Sequence, residues 1–154
     1  MLKVQVKLLD ERLLSWGFPY YGSSLAAGLD LFASVDEPIQ IFPQSQPKLI
    51  STGISLHIGH PEWCAMIVPR SGQGHKLGLV LGNTVGVIDA DYQGPCLVSA
   101  WNRNMEHGQA ITINPGDRIA QLIFVHITRP QIEVVTEFDL SGNRGEGGWG
   151  STGK

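Results

Sequence analysis

Residues 54–68 read Ile-Ser-Leu-His-Ile-Gly-His-Pro-Glu-Trp-Cys-Ala-Met-Ile-Val, and this stretch decides the fold class. Apolar and polar residues alternate from Ile54 to Ile58, which is the period of a strand with one buried face. The turn formers Gly59 and Pro61 follow, and a second apolar run begins at Ala65. The stretch therefore predicts two short strands joined by a turn.

The same pattern recurs along the whole chain. Alternating or continuous apolar runs, bounded by Gly, Pro, Asn and Asp, occupy residues 4–8, 79–81, 97–101, 111–113, 119–125 and 132–135. No segment predicts a long amphipathic helix; either a short one lies between Gly82 and Trp101 or the segment holds none. Many short strands with frequent turns predict an all-β sandwich or barrel. From about Ser141 the chain is glycine-rich without apolar periodicity, so we expect a β domain over residues 1–140 and a flexible tail over residues 141–154.

The composition excludes several classes of protein. The chain has 154 residues, of which 42% are hydrophobic, and this suits one domain with a core. Charged residues make up only 16%, which indicates that much of the surface is hidden in an oligomer. The 11 basic and 14 acidic residues argue against nucleic-acid binding. We see neither a signal peptide nor a membrane-spanning run, so we expect a cytoplasmic protein without membrane contact, in which Cys64 and Cys96 are buried and reduced.

Five segments contain residues suited to chemistry. They are residues 27–31 (Ala-Gly-Leu-Asp-Leu), 69–76 (Pro-Arg-Ser-Gly-Gln-Gly-His-Lys), 86–94 (Gly-Val-Ile-Asp-Ala-Asp-Tyr-Gln-Gly), 115–121 (Pro-Gly-Asp-Arg-Ile-Ala-Gln) and 144–153 (Arg-Gly-Glu-Gly-Gly-Trp-Gly-Ser-Thr-Gly). In the second, a guanidinium, a hydroxyl and glycine amides could hold an anion, or the segment could be a solvated turn. In the third, Asp89 and Asp91 would point the same way in an extended chain. They could serve as a base or a metal site, or simply cap a turn.

Two other patterns are weaker indications of a binding site. Residues 148–154 match part of a phosphate-binding loop, but no Ser or Thr follows Lys154 and neither the strand nor the helix that such a loop needs is present. The segment could still close over an anionic ligand, or it could be a disordered end. His57, His60 and Cys64 make only a thin suggestion of a zinc site.

Taken together and in this order, the five segments resemble the five motifs of the trimeric dUTPase family, in its bacterial single-domain form. The resemblance runs from about Val4 to Lys154, with Trp149 where the family usually has Phe. It implies a jelly-roll or β-clip barrel of short strands. It also implies a Mg²⁺-dependent hydrolase that cleaves dUTP to dUMP and pyrophosphate, keeping uracil out of DNA and supplying dUMP for dTMP synthesis.

The resemblance also implies roles for individual residues. Asp89 would be the general base that activates a water for attack on the α-phosphorus. Mg²⁺ would be held mainly by the triphosphate and reached by Asp30 through a water. The remaining phosphate contacts implied for the β domain and the tail are Arg70, Ser71, Gly72, Gln121, Arg144, Ser151 and Thr152.

For the nucleoside, the resemblance implies a β-hairpin over residues 83–97. Backbone groups near Val87, Ile88 and Leu97, with the Asn83 amide, would read uracil. Tyr92 would pack against deoxyribose and exclude a 2′-hydroxyl, and Trp149 would cover the base. The family is a homotrimer in which each site takes motifs one, two and four from one subunit, motif three from a second and the tail from a third.

Three alternatives stay open at this point. A dCTP deaminase relative would share the fold, but it needs a Glu at the ring, and the nearest is Glu106 beyond the hairpin. A non-catalytic nucleotide-binding protein would keep the fold and lose the chemistry, although every catalytic position named above holds a competent residue. A metal-dependent transferase using Asp89 and Asp91 is less favoured, because no α/β scaffold is visible.

Overall fold

The computed structural model describes residues 2–138 of the chain. Within that part, the secondary structure consists of ten β-strands, one short α-helix and one π-helical turn. The elements are β1 (Gln5–Leu8), α1 (Arg12–Ser15), β2 (Leu29–Phe32), β3 (Ile39–Ile41), β4 (Lys48–His57), β5 (Trp63–Val68), the π-helical turn (Gln73–Leu77), β6 (Leu79–Leu81), β7 (Gly86–Ile88), β8 (Pro95–Asn102), β9 (Ile111–Ile113) and β10 (Arg118–His126). The predicted all-β fold is confirmed.

The strands form three antiparallel sheets. One has the order β1-β4-β8-β6, the second has the order β2-β10-β5-β7, and β3 pairs with β9 in a two-stranded ribbon. In the second sheet, Gln121 of β10 lies opposite both Asp30 of β2 and Val68 of β5. This register puts Asp30 of the first motif and Gln121 of the fourth in one row, beside the residue that precedes the second motif.

The alternation of the strands explains the core. In β8 the side chains of Cys96, Val98 and Ala100 are buried while those between them are not. All four residues of β2 are buried, as expected for a strand covered on both faces. The largest fully buried apolar side chains are Leu13, Leu31, Ile41, Ile50, Ile54, Leu56, Ile67, Val98, Ile113 and Leu122.

The helical segments lie outside residues 82–101, where the sequence left a short helix open. No helix forms between Gly82 and Trp101; α1 forms near the N-terminus instead, and residues 71–77 are helical rather than a loop. Four residues are too few for α1 to show an apolar period. It is fixed locally by Asp10, whose carboxylate accepts hydrogen bonds from the Arg12 backbone N–H at 3.0 Å and the Arg12 guanidinium at 2.8 Å.

The last apolar run does not form a strand. Residues 132–135 pair with no strand among residues 2–138, and Ile132 and Val134 are 78% and 94% exposed. Strand propensity does not by itself supply a partner, so this strand-like sequence stays unpaired in the described chain.

Two further expectations can be checked in the described residues. Cys64 and Cys96 are both free and buried, as predicted, and burial raises the pKa of the Cys96 thiol to about 11. No helix within residues 2–138 has the length and hydropathy of a membrane span.

Candidate functional site

A cavity of about 450 Å³ opens where β2, β5 and β10 meet. Three of the sequence motifs contribute to its lining, which is formed by Gly22, Ala26, Ala27, Gly28, Asp30, Val68, Arg70, Ser71, Gly72, Gln121 and Ile123. We call it the phosphate cavity, because a guanidinium, a hydroxyl and several glycine backbones surround it. The structure thus brings together Asp30, Arg70, Ser71, Gly72 and Gln121, which the sequence analysis had singled out.

Asp30 fixes the guanidinium at this cavity. It is 6% exposed within a strand that is buried throughout. Its Oδ1 accepts a hydrogen bond from Nε of Arg70 at 2.8 Å, and its Oδ2 accepts one from Nη1 of Arg118 at 3.2 Å. A buried carboxylate requires such partners, because an unpaired charge there would be costly.

Arg118 is the residue that sequence reasoning missed. It lies in the fourth motif, yet neither its spacing nor its neighbours indicated a contact 88 residues away. Its guanidinium also lies 5.1 Å from the ring centre of Tyr20, in a cation–π arrangement. Arg118 thereby helps to hold the Asp30 carboxylate, and through it Arg70.

Some of the other polar groups of the cavity already form hydrogen bonds within the chain. Residues 71–77 form a helical turn in which the Gly74 N–H donates to the Arg70 carbonyl at 2.9 Å. The Gln121 side chain donates from Nε2 to the Pro69 carbonyl at 3.0 Å. One amide hydrogen of Gln121 is left for a ligand.

Asp89 belongs to a different cavity. It follows β7 directly and is exposed, in a turn where the Tyr92 N–H donates to the Asp89 carbonyl at 3.2 Å. This second cavity measures about 630 Å³ and also has polar walls, lined by His57, Gly59, His60, Pro61, Trp63, Cys64, Asp89, Ala90, Asp91, Ile127 and Arg129. It shares no lining residue with the phosphate cavity.

The two cavities lie at opposite ends of β5. Ala65 pairs with Ile88, so Asp89 continues the ladder opposite Cys64, near the start of the strand. Arg70 follows the other end, beyond Val68. The strand between Cys64 and Val68 alone spans about 13 Å. A single chain therefore does not bring Asp89 to the phosphate cavity.

Residues 83–97 form an open arch rather than a β-hairpin. β7 pairs with β5 and β8 pairs with β4, so the two arms enter different sheets. The far edge of β7 has no strand partner among residues 2–138. On the side of β8 away from β4, β6 pairs only with residues 100–102. Backbone groups of Val87 and Leu97 are thus free of strand partners on one side, while both side chains are about half exposed.

Tyr92 is held across this arch. Its hydroxyl donates to the Pro95 carbonyl at 3.1 Å. A Cβ at Gly94 would overlap the Tyr92 hydroxyl and ring, so the ring can lie in this position only above a glycine. Asn83 stands at the entrance of the arch, where Thr84, with a φ of 63°, makes a tight turn. The arch therefore presents one fixed aromatic face beside unpaired backbone groups.

Two expectations have no counterpart in the described residues. Within residues 2–138, no group of three His, Cys, Asp or Glu side chains is arranged to hold a metal ion, so the thin zinc suggestion gains no support. The expected tail residues Arg144, Trp149, Ser151 and Thr152 lie outside the described part of the chain.

Comparison with known proteins shows the family of the chain. The dUTPase family model matches residues 15–153. The chain belongs to the dUTPase family. A Coxiella burnetii protein named deoxyuridine 5′-triphosphate nucleotidohydrolase is 54% identical over 152 residues, covering 98% of this chain and 97% of its own. A Legionella pneumophila protein of the same name is 51% identical over 152 residues, with the same coverage.

Solved dUTPase structures share the fold. The dUTPase of Staphylococcus bacteriophage 80alpha, solved with dUpNHpp, matches with a TM-score of 0.80 and 27% identity over 99% of both chains. A mutant dUTPase of phage phi11 of S. aureus, described as coordinating a structural Mg(II) ion, matches with a TM-score of 0.73 and 27% identity. That match covers 90% of this chain and 99% of the phage protein.

Proposed function

We propose that this chain hydrolyses dUTP to dUMP and pyrophosphate by attack of water on the α-phosphorus. The observation that carries the proposal is the phosphate cavity, in which a buried Asp30 aims Arg70 beside Ser71 and Gly72. This arrangement suits a polyanion, and it occurs in a chain of the dUTPase family. The nucleotide hydrolase activity named for the relatives fits it directly.

Asp89 is the proposed general base. Asp89 is exposed and lines a cavity, and its backbone is held in a turn, so its carboxylate can hold a water and take its proton as the water oxygen bonds to phosphorus. The α–β bridging oxygen leaves with pyrophosphate and keeps the bond electrons. Because a carboxylate is a weak base, most of the rate enhancement comes from positioning and from stabilisation of charge.

Charge on the phosphates is met by Arg70, by the Ser71 hydroxyl and by the backbone N–H of Gly72. Mg²⁺ on the triphosphate would neutralise further negative charge, which is the chemistry such an ion supplies in phosphoryl transfer generally. Asp30 fits a contact with that ion through a water and not a direct bond, because both of its oxygens already accept from guanidinium groups. Each carboxylate oxygen keeps a lone pair for a water.

The arch suits uracil. Unpaired backbone N–H and C=O groups near Val87, Ile88 and Leu97, with the Asn83 amide, can pair with O2, N3–H and O4 of the base. Cytosine presents a different donor and acceptor at N3 and C4, so polar groups would be left unpaired, and such mismatches discriminate strongly. The Tyr92 ring would pack against deoxyribose and strike a 2′-hydroxyl.

The separation of Asp89 and Arg70 supports a homotrimer with shared sites. Since one chain holds them at opposite ends of β5, a complete site needs Asp89 of one copy at the phosphate cavity of another. Exposed apolar side chains support such an assembly, among them Leu49, Ile132 and Val134. In the same scheme the tail of a third copy closes the site, with Arg144, Ser151 and Thr152 at the γ-phosphate and Trp149 over the base.

The experiment that tests the proposal is a product assay on dUTP, dCTP, dTTP and UTP, with and without Mg²⁺. We expect release of pyrophosphate from dUTP with Mg²⁺ and far less from the other three. Release of ammonia from dCTP would indicate a deaminase instead. Binding of dUTP without product would indicate a nucleotide-binding protein that has lost the chemistry.

A further inference from the structure

The turn that carries Asp89 is tied to a loop from another part of the chain. The Gly59 N–H donates to the Ala90 carbonyl at 2.8 Å. Gly59 belongs to the loop between β4 and β5, and this loop forms one wall of the second cavity. The hydrogen bond therefore joins two walls of the cavity at the residue next to Asp89.

This contact completes a two-sided support of Asp89. On the N-terminal side, Ile88 pairs with Ala65 in the sheet. On the C-terminal side, the ladder has ended, and the Gly59–Ala90 hydrogen bond is the next tie to the body of the domain. Without it, the backbone after Ile88 would be held by the turn's own Tyr92–Asp89 hydrogen bond, which moves with the turn.

The donor can stand there only because residue 59 is a glycine. Its φ is 64°, in the left-handed region that L side chains rarely adopt. A Cβ on Gly59 would also lie 3.1 Å from Cε1 of His57 and within 3.6 Å of both ring nitrogens, so it would press on the face of the imidazole. Any side chain at this position thus moves either the loop or His57.

The loop itself is well anchored. The Trp63 N–H donates to the His60 carbonyl at 3.1 Å, and the Glu62 N–H donates to Nδ1 of His60 at 3.3 Å. The Ile127 N–H donates to the Glu62 carbonyl at 2.8 Å, which ties the loop to the chain after β10. The loop can therefore act as a fixed point against which the Asp89 turn is held.

We propose that Gly59 is a positioning residue for catalysis, which sets the place of the Asp89 carboxylate through its hydrogen bond to Ala90. The inference rests on the proposed role of Asp89 as the base. Its effect belongs mainly to the chemical step, because neither Gly59 nor Ala90 lines the phosphate cavity, and Ala90 is not among the arch residues proposed to contact uracil or deoxyribose. Small misplacements of a reacting group lower rates steeply, so the role should be visible in kcat.

The test is Gly59→Ala in the full-length protein. We expect kcat for dUTP to fall about 10-fold or more with KM changed less than about twofold. Amide hydrogen exchange of the peptide covering residues 86–94 should become faster in the free protein. The double variant Gly59→Ala with His57→Ala, which removes the ring that the new methyl group meets, should recover part of the lost kcat.

Gly17→Ala is the matched control. Gly17 also has a left-handed φ, of 94°, but a Cβ there meets no atom within 4 Å, and the residue lines neither the phosphate cavity nor the second cavity. It should keep kcat within about twofold of wild type. Wild-type kcat in Gly59→Ala, an equal loss in Gly17→Ala, or unchanged exchange over residues 86–94 would each overturn the proposal. If the wild-type protein does not turn over dUTP, the proposed function fails, and the exchange data alone decide whether Gly59 holds the turn.

Discussion

Asp89 is exposed and bonds to its surroundings through its backbone, so its side chain can be changed with little effect on folding. We expect Asp89→Asn to bind dUDP almost as well as the wild type, because Asn keeps the shape of the side chain. The kcat for dUTP should fall about 10³-fold or more, since the base is lost. Steady-state pyrophosphate release and equilibrium binding of dUDP measure the two effects separately.

Asp91→Asn serves as the control for this substitution. Asp91 lines the same cavity two residues further on and carries the same charge. It should retain most of the activity. Turnover of a tenth or more of the wild-type value in Asp89→Asn would remove Asp89 from the role of base, and loss confined to Asp91→Asn would transfer the role to that residue.

Tyr92 should determine the choice of sugar. Tyr92→Ala removes the ring that a 2′-hydroxyl would strike, so kcat/KM for UTP should rise relative to dUTP. Tyr92→Phe keeps the ring above Gly94 and loses only the hydrogen bond to the Pro95 carbonyl, so it should keep most of the discrimination. The ratio of the two kcat/KM values is the measurement, and an unchanged ratio in Tyr92→Ala would assign sugar choice to another group.

At the scale of elements, α1 depends on one ionised carboxylate. The hydrogen bonds from the Arg12 guanidinium, with those from the Ser34 hydroxyl and the Arg12 N–H, hold the pKa of Asp10 well below its usual range. In the unfolded chain an Asp titrates near pH 4. The contribution of Asp10 to stability is therefore complete above about pH 4 and declines as the pH falls toward its lower folded-state value.

Asp10→Asn tests this pH dependence. The Tm of the variant should lie below that of the wild type by about 2–4 °C at pH 7, and the gap should narrow as the pH is lowered below about 4. Thermal unfolding followed by circular dichroism at several pH values measures it. Asp36→Asn is the control, because Asp36 also contacts Arg12, at 3.0 Å, but is 91% exposed. A gap that stays constant from pH 7 to pH 3 would contradict the interpretation.

The elements also show what the sequence could predict. Alternation of apolar and polar residues identified the strand around β4, and short continuous apolar runs identified those around β5, β8 and β10. Residues 132–135 form a similar apolar run but pair with no strand in the described chain. An apolar run indicates that a segment can form a strand, but it does not show whether a partner strand lies beside it. Residues 71–77 are helical although they contain two glycines. Because glycine has a low helix propensity, the sequence did not predict a helix there.

The site was predicted in part for a similar reason. Asp30, Arg70 and Gln121 belong to recognisable motifs, and the sheet register brings them together. Arg118 and Gly59 act through contacts across strands and loops, which have no signature along the chain. The arch could not be predicted from the sequence, because β7 and β8 are close in the chain but pair with strands of different sheets, β5 and β4. Nothing in the sequence of residues 83–97 states which strands they pair with.

At the scale of the whole molecule, shared sites can be tested by mixing inactive chains. Asp89→Asn retains a working phosphate cavity, and Arg70→Ala retains a working Asp89. When the two are unfolded together and refolded, mixed trimers should regain one complete site each. Random mixing in equal amounts should restore about a quarter of the wild-type sites. Pyrophosphate release from dUTP, before and after mixing, measures the recovery.

In the matched control, the Asp89→Asn chain is refolded together with a second chain that carries both Asp89→Asn and Tyr92→Ala. Both chains then lack the same base, so refolding them together should restore nothing. Recovery with Arg70→Ala that is no greater than in this control would contradict a site built from two copies.

The distance between Asp89 and Arg70 along β5 has a consequence for living cells. Under the proposed arrangement a solitary chain is catalytically silent, however well it is folded. In dilute solution, where most chains are alone, the rate should grow with about the third power of the protein concentration. A newly made chain would therefore not hydrolyse nucleotides until it assembled with other copies. Activity in the cell would rise steeply above a threshold protein concentration and would not be proportional to it.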